Sequence, residues 1–283
     1  MSGRLLLCGT PIGNLDDMSP RALRVLTEAD VIACEDTRRT LKLLSHFGIR
    51  ARELVTYHEG NERRAARDLR TRIAGGAVVA LVSDAGMPGL SDPGYRLVRA
   101  CADEGLPIEV VPGPSAAISA LAISGLPPAR FAFEGFLPRK QGERRKRLDA
   151  LRTEERTLVF YESPHRIESS LEDMAEVLGD RPAALARELT KMHEEVRRNT
   201  LPGLLDEVRA DPPRGEIVLV VGGAIHEHKV EADPEDLARR ARELMDAGVE
   251  RKEALAEVAR DARVPKRKVF DALLAEKDQS SGR

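Results

Sequence analysis

Residues 81–94 read LVSDAGMPGLSDPG, an apolar run giving way to two Ser-Asp pairs, three glycines and two prolines. Glycine permits positive φ and close backbone approach, while proline fixes φ and withholds a donor, so a run rich in both makes stiff turns rather than a tether. Such a loop is built to hold something, and Asp84 stands at its strand end. A dinucleotide site needs G-x-G-x-x-G opening a helix. Here CGTPIGNL (8–15) places Pro11 in the middle, lacks a third glycine and is followed by no Walker lysine. Glu35 and Asp36 could grip a ribose in a nonstandard site. A neutral or cationic ligand suits Asp84 better, such as the ribose, amine or sulfonium region of S-adenosylmethionine, which carries no phosphate.

Other constellations are weaker. ESPHR (162–166) brings acid, serine and histidine together, yet Ser163 before Pro164 reads more simply as a helix N-cap. The tripeptide His226-Glu227-His228 lies in a polar linker and is expected to be solvated. Cys8, Cys34 and Cys101 are far apart and in no ligand spacing, so no metal is assigned and the thiols are read as buried in a reducing cytoplasm. Met87 and Met192 read as core filler, with only Met87 in a loop that favours ligand contact. Arg139, Lys140, Arg144, Arg145, Lys146 and Arg147 form a dense basic run that is either a solvated helix face or a phosphate-contacting strip.

These residues need a scaffold, and the apolar pattern supplies one. Short apolar runs at 4–9, 31–34, 53–57, 77–83 and 108–111 alternate with helix-like stretches at 19–29, 37–47, 61–74 and 94–104. Ser19-Pro20 and Asp92-Pro93 each look like an N-cap followed by proline at the first helical position. The βαβα alternation predicts a mostly parallel sheet covered by helices, with ligands beyond the carboxyl ends of the strands. From about residue 130 the pattern becomes a mixed α/β sheet, with strands at 130–137, 156–162, 182–188 and 215–222 and helices at 141–152, 164–178 and 201–210. After the stretch 226–236 the chain reads as purely helical. Its apolar stripes are Ala238, Ala241, Leu244 and Met245, then Ala254, Leu255, Val258 and Ala259, then Val269, Phe270, Leu273 and Leu274. Pro265 opens the last helix, giving a helix-turn-helix shape.

The 283 residues, 42% hydrophobic and 33% charged, describe a soluble globular protein with room for more than one core. A formal net charge of -2 argues against a wholly basic nucleic-acid binder but leaves room for a local basic face. No stretch approaches the roughly 18 apolar residues of a membrane span, and the amino terminus has too short an apolar run for a signal sequence. A cytoplasmic location follows as the expectation.

TPIGNL (10–15), EDTRRT (35–40), YHEGNE (57–62), VSDAGMPGLSDPG (82–94), PGPSA (112–116), FEGFLPRK (133–140), FYESPHR (160–166), ARELTKMHEE (186–195) and GEIVLVV (215–221) together resemble the ribosomal RNA small subunit methyltransferase I family. The resemblance implies a two-domain, tetrapyrrole-methylase-like (class III) methyltransferase fold, an α/β domain over 1–126, a second over 127–226, and a linker with a helical, helix-turn-helix-like extension over 227–283. It implies S-adenosylmethionine as cofactor and 2'-O-methylation of a cytidine in the decoding region of 16S rRNA. The partner would be 16S rRNA or the small ribosomal subunit, and the protein a homodimer, as is common in this fold. Cofactor contacts map onto Pro11, Asp84, Gly86, Met87, Ser115 and Ala116 from the first domain. From the second come Tyr161 and the backbone near Leu189 and Gly215. Met87 stands where the family usually has threonine. RNA contacts map onto Arg38 and the basic run at 139–147.

Methyl transfer to a ribose hydroxyl is an in-line displacement that also needs somewhere for the hydroxyl proton to go. Candidates at or past strand ends are Asp36, Glu162, Glu188 and Lys191. Lysine would need its pKa lowered, and Arg187 is near enough in sequence to contribute. Two alternatives stand beside this reading: the same fold acting on a tetrapyrrole or protein substrate, since a fold does not fix its substrate, or a non-enzymatic nucleic-acid binder working through the terminal helices.

Overall fold

A computed structural model describes residues 3–224, 233–262 and 264–280. The chain divides into two units, Met1–Ala224 and Ile225–Arg283.

The first unit contains two five-stranded sheets. In the first, β1 (Arg4–Cys8), β2 (Val31–Cys34), β3 (Leu54–Thr56), β4 (Val78–Leu81) and β5 (Ile108–Val111) run parallel in the order β3-β2-β4-β1-β5. The continuous apolar character of the inner strands β2 and β4 reflects burial on both faces, while the edge strands β3 and β5 are partly exposed. Alternate residues serve opposite sides, as the pleat requires. Val31 and Ala33 join Leu69, Ile73 and Leu97 from α3 (Glu62–Ala74) and α4 (Tyr95–Asp103). Ile32 and Cys34 instead join Leu26 and Leu44 from α1 (Pro20–Glu28) and α2 (Thr37–His46). Ser19 caps α1 as read, its Oγ accepting from the Ala22 N–H, with Pro20 in the first turn. Asp92 does not cap α4. That position belongs to Gly94, whose φ of 157° is closed to most side chains.

α5 (Ala116–Ile123) precedes the expected boundary at 126 yet covers the second sheet, its Ala117, Ala120 and Leu121 packing on Val159, Ala184 and Val218. That sheet is mixed, in the order β6-β7-β10-β8-β9. β6 (Phe131–Phe136) and β7 (Thr157–Glu162) are parallel, while β10 (Ile217–Val221), β8 (Pro182–Arg187) and β9 (Glu195–Thr200) add antiparallel neighbours. The far face is closed by α6 (Gln141–Ala150), α7 (Ile167–Leu178) and α8 (Leu201–Ala210) through Leu148, Leu171, Met174 and Leu204. Ser163 is not an N-cap: its carbonyl accepts from the N–H groups of Arg166 and Ile167 in a turn, and α7 starts only at Ile167. β9, of sequence EVRRNT, is a strand the sequence pattern does not announce. It is an edge, and charge rather than apolar alternation protects an edge.

The described part of the second unit is helical. Its helices α9 (Pro234–Asp246), α10 (Arg251–Asp261) and α11 (Lys266–Ser280) bury Leu237, Ala238, Ala241, Leu255, Val258, Val269 and Leu273 together. Of the third predicted stripe, Phe270 and Leu274 stay partly exposed, and Phe270 carries the Arg251 guanidinium 5.4 Å above its ring. His226, Glu227, His228 and Arg263 lie outside the described residues. Among the described residues no helix is long and apolar enough to cross a membrane.

Candidate active site

The loops that leave the carboxyl ends of β1, β4 and β5 are fastened to one another by backbone. Thr10 and Gly86 form a two-bond bridge, Thr10 N to Gly86 O at 2.9 Å and the reverse at 3.1 Å. Gly86 sits at φ 79°, where a side chain would be strained. Gly9 lies directly against Gly113: a Cβ built on Gly9 would be 2.6 Å from the Gly113 Cα and 2.7 Å from Met87 Sδ. Gly9→Ala therefore forces the loops apart and should cost about 1–3 kcal/mol in urea unfolding, the usual range for overpacking. Gly142→Ala, on an open helix face with nothing near its Cβ, should be neutral or stabilising, because alanine is the better helix former.

The second sheet contributes the turn after β8. Glu188 and Thr190 occupy left-handed backbone at φ 50° and 65°, a conformation that non-glycine residues rarely hold. The turn is tied across to the first-sheet loop by Asn14 N donating to Thr190 Oγ1 at 3.0 Å. Between these segments are two cavities. One, of ≈ 470 Å³, is lined by Pro11, Asp84, Arg39, Lys42 and Lys191 among others. The other, of ≈ 220 Å³, is lined by Met87, Asp92, Ser115, Phe136, Tyr161 and Val218 among others. Ile12 and Ala85 line both, so the cavities meet there. Their chemistry differs. The larger is lined by three cationic side chains and one carboxylate, Asp84, which pairs with Arg39, whereas the smaller is lined by Asp92, Glu162 and Glu216 with no cation. The first suits an anionic group, the second a neutral or cationic ligand with an apolar face. Tyr161 supports that face, its ring 5.0 Å from Phe133 and 5.6 Å from Phe136.

Of the residues expected to contact a cofactor, Pro11 and Asp84 line the larger cavity, and Gly86, Met87, Ser115, Ala116 and Tyr161 the smaller. Asp84 is oriented by Arg39 at 3.3 Å and by the Asp36 N–H at 3.1 Å. Leu189 and Gly215 line neither. Leu189 is spent in the apolar core with Ile12 and Val218, and Gly215, at φ 85°, lies close under Glu188. Glu216, Ile217 and Val218 stand at the cavity instead. The sequence signal for them was present, since the opening residues of GEIVLVV border the strand end.

None of the four expected proton acceptors is suited to the task. The Arg38 guanidinium grips Asp36 from the side, and Asp36 also caps α2 by accepting from Arg38 N at 2.8 Å, so its pKa falls to about 2. Arg38 is thereby occupied as well. Glu162 is buried and takes bonds from Ser170 Oγ at 2.6 Å and Ser163 N at 2.9 Å, with Arg166 at 3.4 Å. Lys191 Nζ lies 2.9 Å from Glu188 and 3.1 Å from Glu216. Burial draws its pKa down, but the two carboxylates outweigh burial and the net shift is upward. Arg187 does not depress it, being turned to Glu195. Glu188 is held below its ordinary range, first by the hydrogen bond from Lys191. Asp92 has a different environment. Burial, then the nearby charges of Glu35 and Asp84, raise its pKa to about 6 while it lines the smaller cavity.

The basic run divides. Arg144 is buried, its Nε 2.6 Å from Asp173, so it cannot reach a phosphate. Arg145 bonds Asp173 at 2.7 Å and also Glu176, and Arg147 is paired with Glu134. Lys140 pairs with Glu143 at 3.3 Å on the surface. Arg139 and Lys146 are left exposed on this face.

The family model for Tetrapyrrole (Corrin/Porphyrin) Methylases matches residues 4–205. A Ribosomal RNA small subunit methyltransferase I of Halalkalibacterium halodurans is 45% identical over 276 residues, covering 95% of this chain and 94% of its own. The protein of the same name from Escherichia coli O157:H7 is 49% identical over 257 residues, covering 90% and 88%. Among solved structures, uroporphyrin-III-C-methyltransferase from Thermus thermophilus superposes with a TM-score of 0.53 at 26% identity, covering 78% of this chain and 94% of that one.

Proposed function

Because this chain belongs to the ribosomal RNA small subunit methyltransferase I family and to the tetrapyrrole methylases, we propose that it methylates the 2'-hydroxyl of a cytidine ribose in 16S rRNA with S-adenosylmethionine. The observation that carries this reading is the pair of meeting cavities, one cationic and one carboxylate-lined without a cation. S-adenosylmethionine supplies, when bound, an electrophilic methyl group on a sulfonium. A cation-free cavity with Tyr161, Ser115 and Asp92 fits a cationic nucleoside, and it offers none of the phosphate-binding features that would favour a nucleotide. Arg39, Lys42 and Lys191 on the other side would receive the phosphodiester beside the target ribose. Lys191 acts there as a fixed charge, its proton held by Glu188 and Glu216.

The protein then has two tasks. Alignment of hydroxyl and methyl is the larger, worth about 7–11 kcal/mol when well arranged. The rigid loop clasp of Thr10, Gly86, Gly9 and Gly113 provides for it. Asp92 takes up the hydroxyl proton. The test is to incubate the protein with labelled S-adenosylmethionine and small ribosomal subunits from a strain lacking the gene, then digest the rRNA. A single labelled 2'-O-methylcytidine is the expected product. Label on the base, on another nucleotide, or nowhere would refute the reading.

A further inference from the structure

The outer sides of α3 and α4 form a second basic region, separate from the run at 139–147. They bound a groove of ≈ 550 Å³ lined by Arg63, Arg67, Arg70, Arg96, Arg99 and Tyr95 among others. Spacing explains the alignment. Positions 63, 67 and 70 fall on one face of α3, and 96 and 99 on one face of α4, while Leu69, Ile73, Leu97 and Cys101 bury the opposite faces against the sheet. Five arginines line this groove against two carboxylates, Asp103 and Glu104. Those two answer Arg99 and Arg70, and Arg96 lies 3.1 Å from Glu62. Among the described residues Arg63 and Arg67 are exposed and have no carboxylate partner, so the groove keeps positive charge after internal pairing.

Tyr95 adds an aromatic surface. It is 71% exposed at the first position of α4, where an unsupported ring forfeits burial. The backbone beneath it is fixed: Gly94 N and Arg96 N both donate to Glu62 Oε1, at 3.2 and 3.4 Å, and the buried Tyr57 hydroxyl donates to the same oxygen at 3.1 Å. The groove also lies close to the cleft. Asp92 lines the smaller cavity, and its Cα can be no more than about 11 Å from that of Tyr95, three residues on.

We propose that this groove is the docking surface for the RNA strand where it leaves the cleft, with phosphates on Arg63 and Arg67 and a base stacked on Tyr95. The proposal rests on the rRNA methyltransferase reading and locates its substrate surface. Guanidinia in a row meet successive phosphates, and an aromatic ring stacks any base, so the site would bind strand rather than sequence.

The test uses the whole protein and small ribosomal subunits lacking the modification. In the Arg63→Gln, Arg67→Gln double variant the slope of log affinity against log salt should shrink by about 1.4, two single-strand contacts at about 0.7 each. KM for subunits should rise while kcat stays level, because binding lost equally from ground and transition states leaves kcat alone. Tyr95→Ala should weaken subunit binding about fivefold or more. S-adenosylmethionine affinity should be unchanged in both. An unaltered salt slope and KM overturns the groove, including the case in which it serves an acidic protein segment instead. If the double variant fails these tests while the wild-type protein methylates rRNA, only the groove falls. If the wild-type protein neither binds subunits nor methylates them, the function falls with it.

Discussion

Asp92→Asn should lower the single-turnover rate of methyl transfer at saturating S-adenosylmethionine by about two to four powers of ten, the range a positioned proton acceptor supplies, and should weaken cofactor binding as well, because Asp92 also lines the cavity assigned to the cation. The wild-type rate should climb with pH through about 6 and level off above, because Asp92 must be ionised to accept a proton and burial has raised its pKa to about 6. The variant's residual rate should instead keep rising, with hydroxide taking the proton. A stability measurement gives an independent reading. A carboxyl whose pKa is raised by folding opposes the folded state once ionised, so its contribution is intact below about pH 4 and lost as pH passes about 6. Asn carries no such loss. The variant should therefore match the wild type in acid and melt higher above neutrality. Loss of cofactor affinity with an unchanged pH profile would make Asp92 a cofactor ligand rather than the proton acceptor.

Arg144→Ala should cost about 1.5–3 kcal/mol in urea unfolding, since it removes one of the two guanidinium partners of a buried carboxylate. Asp173 has no exposed side-chain surface, and it accepts from Arg144 Nε at 2.6 Å, Arg145 Nε at 2.7 Å and Gln141 Nε2 at 3.2 Å. Replacing both partners by apolar residues, as in Arg144→Met with Asp173→Leu, should recover much of the loss, because the burial of charge is then removed with the pair. Lys146→Ala, on the exposed face of the same helix, should stay within about 0.5 kcal/mol of wild type. Equal stability of Arg144→Ala and Lys146→Ala would refute the assignment of Arg144 to the core.

These two residues also show where sequence reading reaches its limit. In RRKR (144–147) the four side chains look interchangeable, and only the position of Asp173, far along the chain on α7, decides which one is buried. Asp92 shares with Ser19 the pattern of a polar residue before proline, yet Gly94 takes the cap and frees the carboxyl for the cavity. Lys191 has Arg187 near in sequence, but its proton is held by Glu188, close along the chain, and by Glu216, which only strand pairing of β8 with β10 brings near. By contrast, VIAC and VVAL are legible as buried parallel strands because burial on both faces leaves a continuous apolar run. The loops are legible because glycine and proline constrain backbone locally. What depends on partners distant in the chain is not.

The place of β1 in its sheet has a consequence for how the protein is made. Leu6 pairs with Ala80 on one side and Glu109 on the other, so the first strand synthesised waits for both flanks. Pairing over such sequence separations is slow, because chain entropy must be given up before the contacts form. The loop clasp obeys the same schedule, as Gly9 meets Gly113 only when β5 is in place. A nascent chain halted short of Val111 would carry the Asp84 loop in full and still lack the Gly113 backbone that packs against Gly9. The first sheet's half of the cleft is thus complete only at the step that closes that sheet, and the second sheet must still add Tyr161 and Lys191.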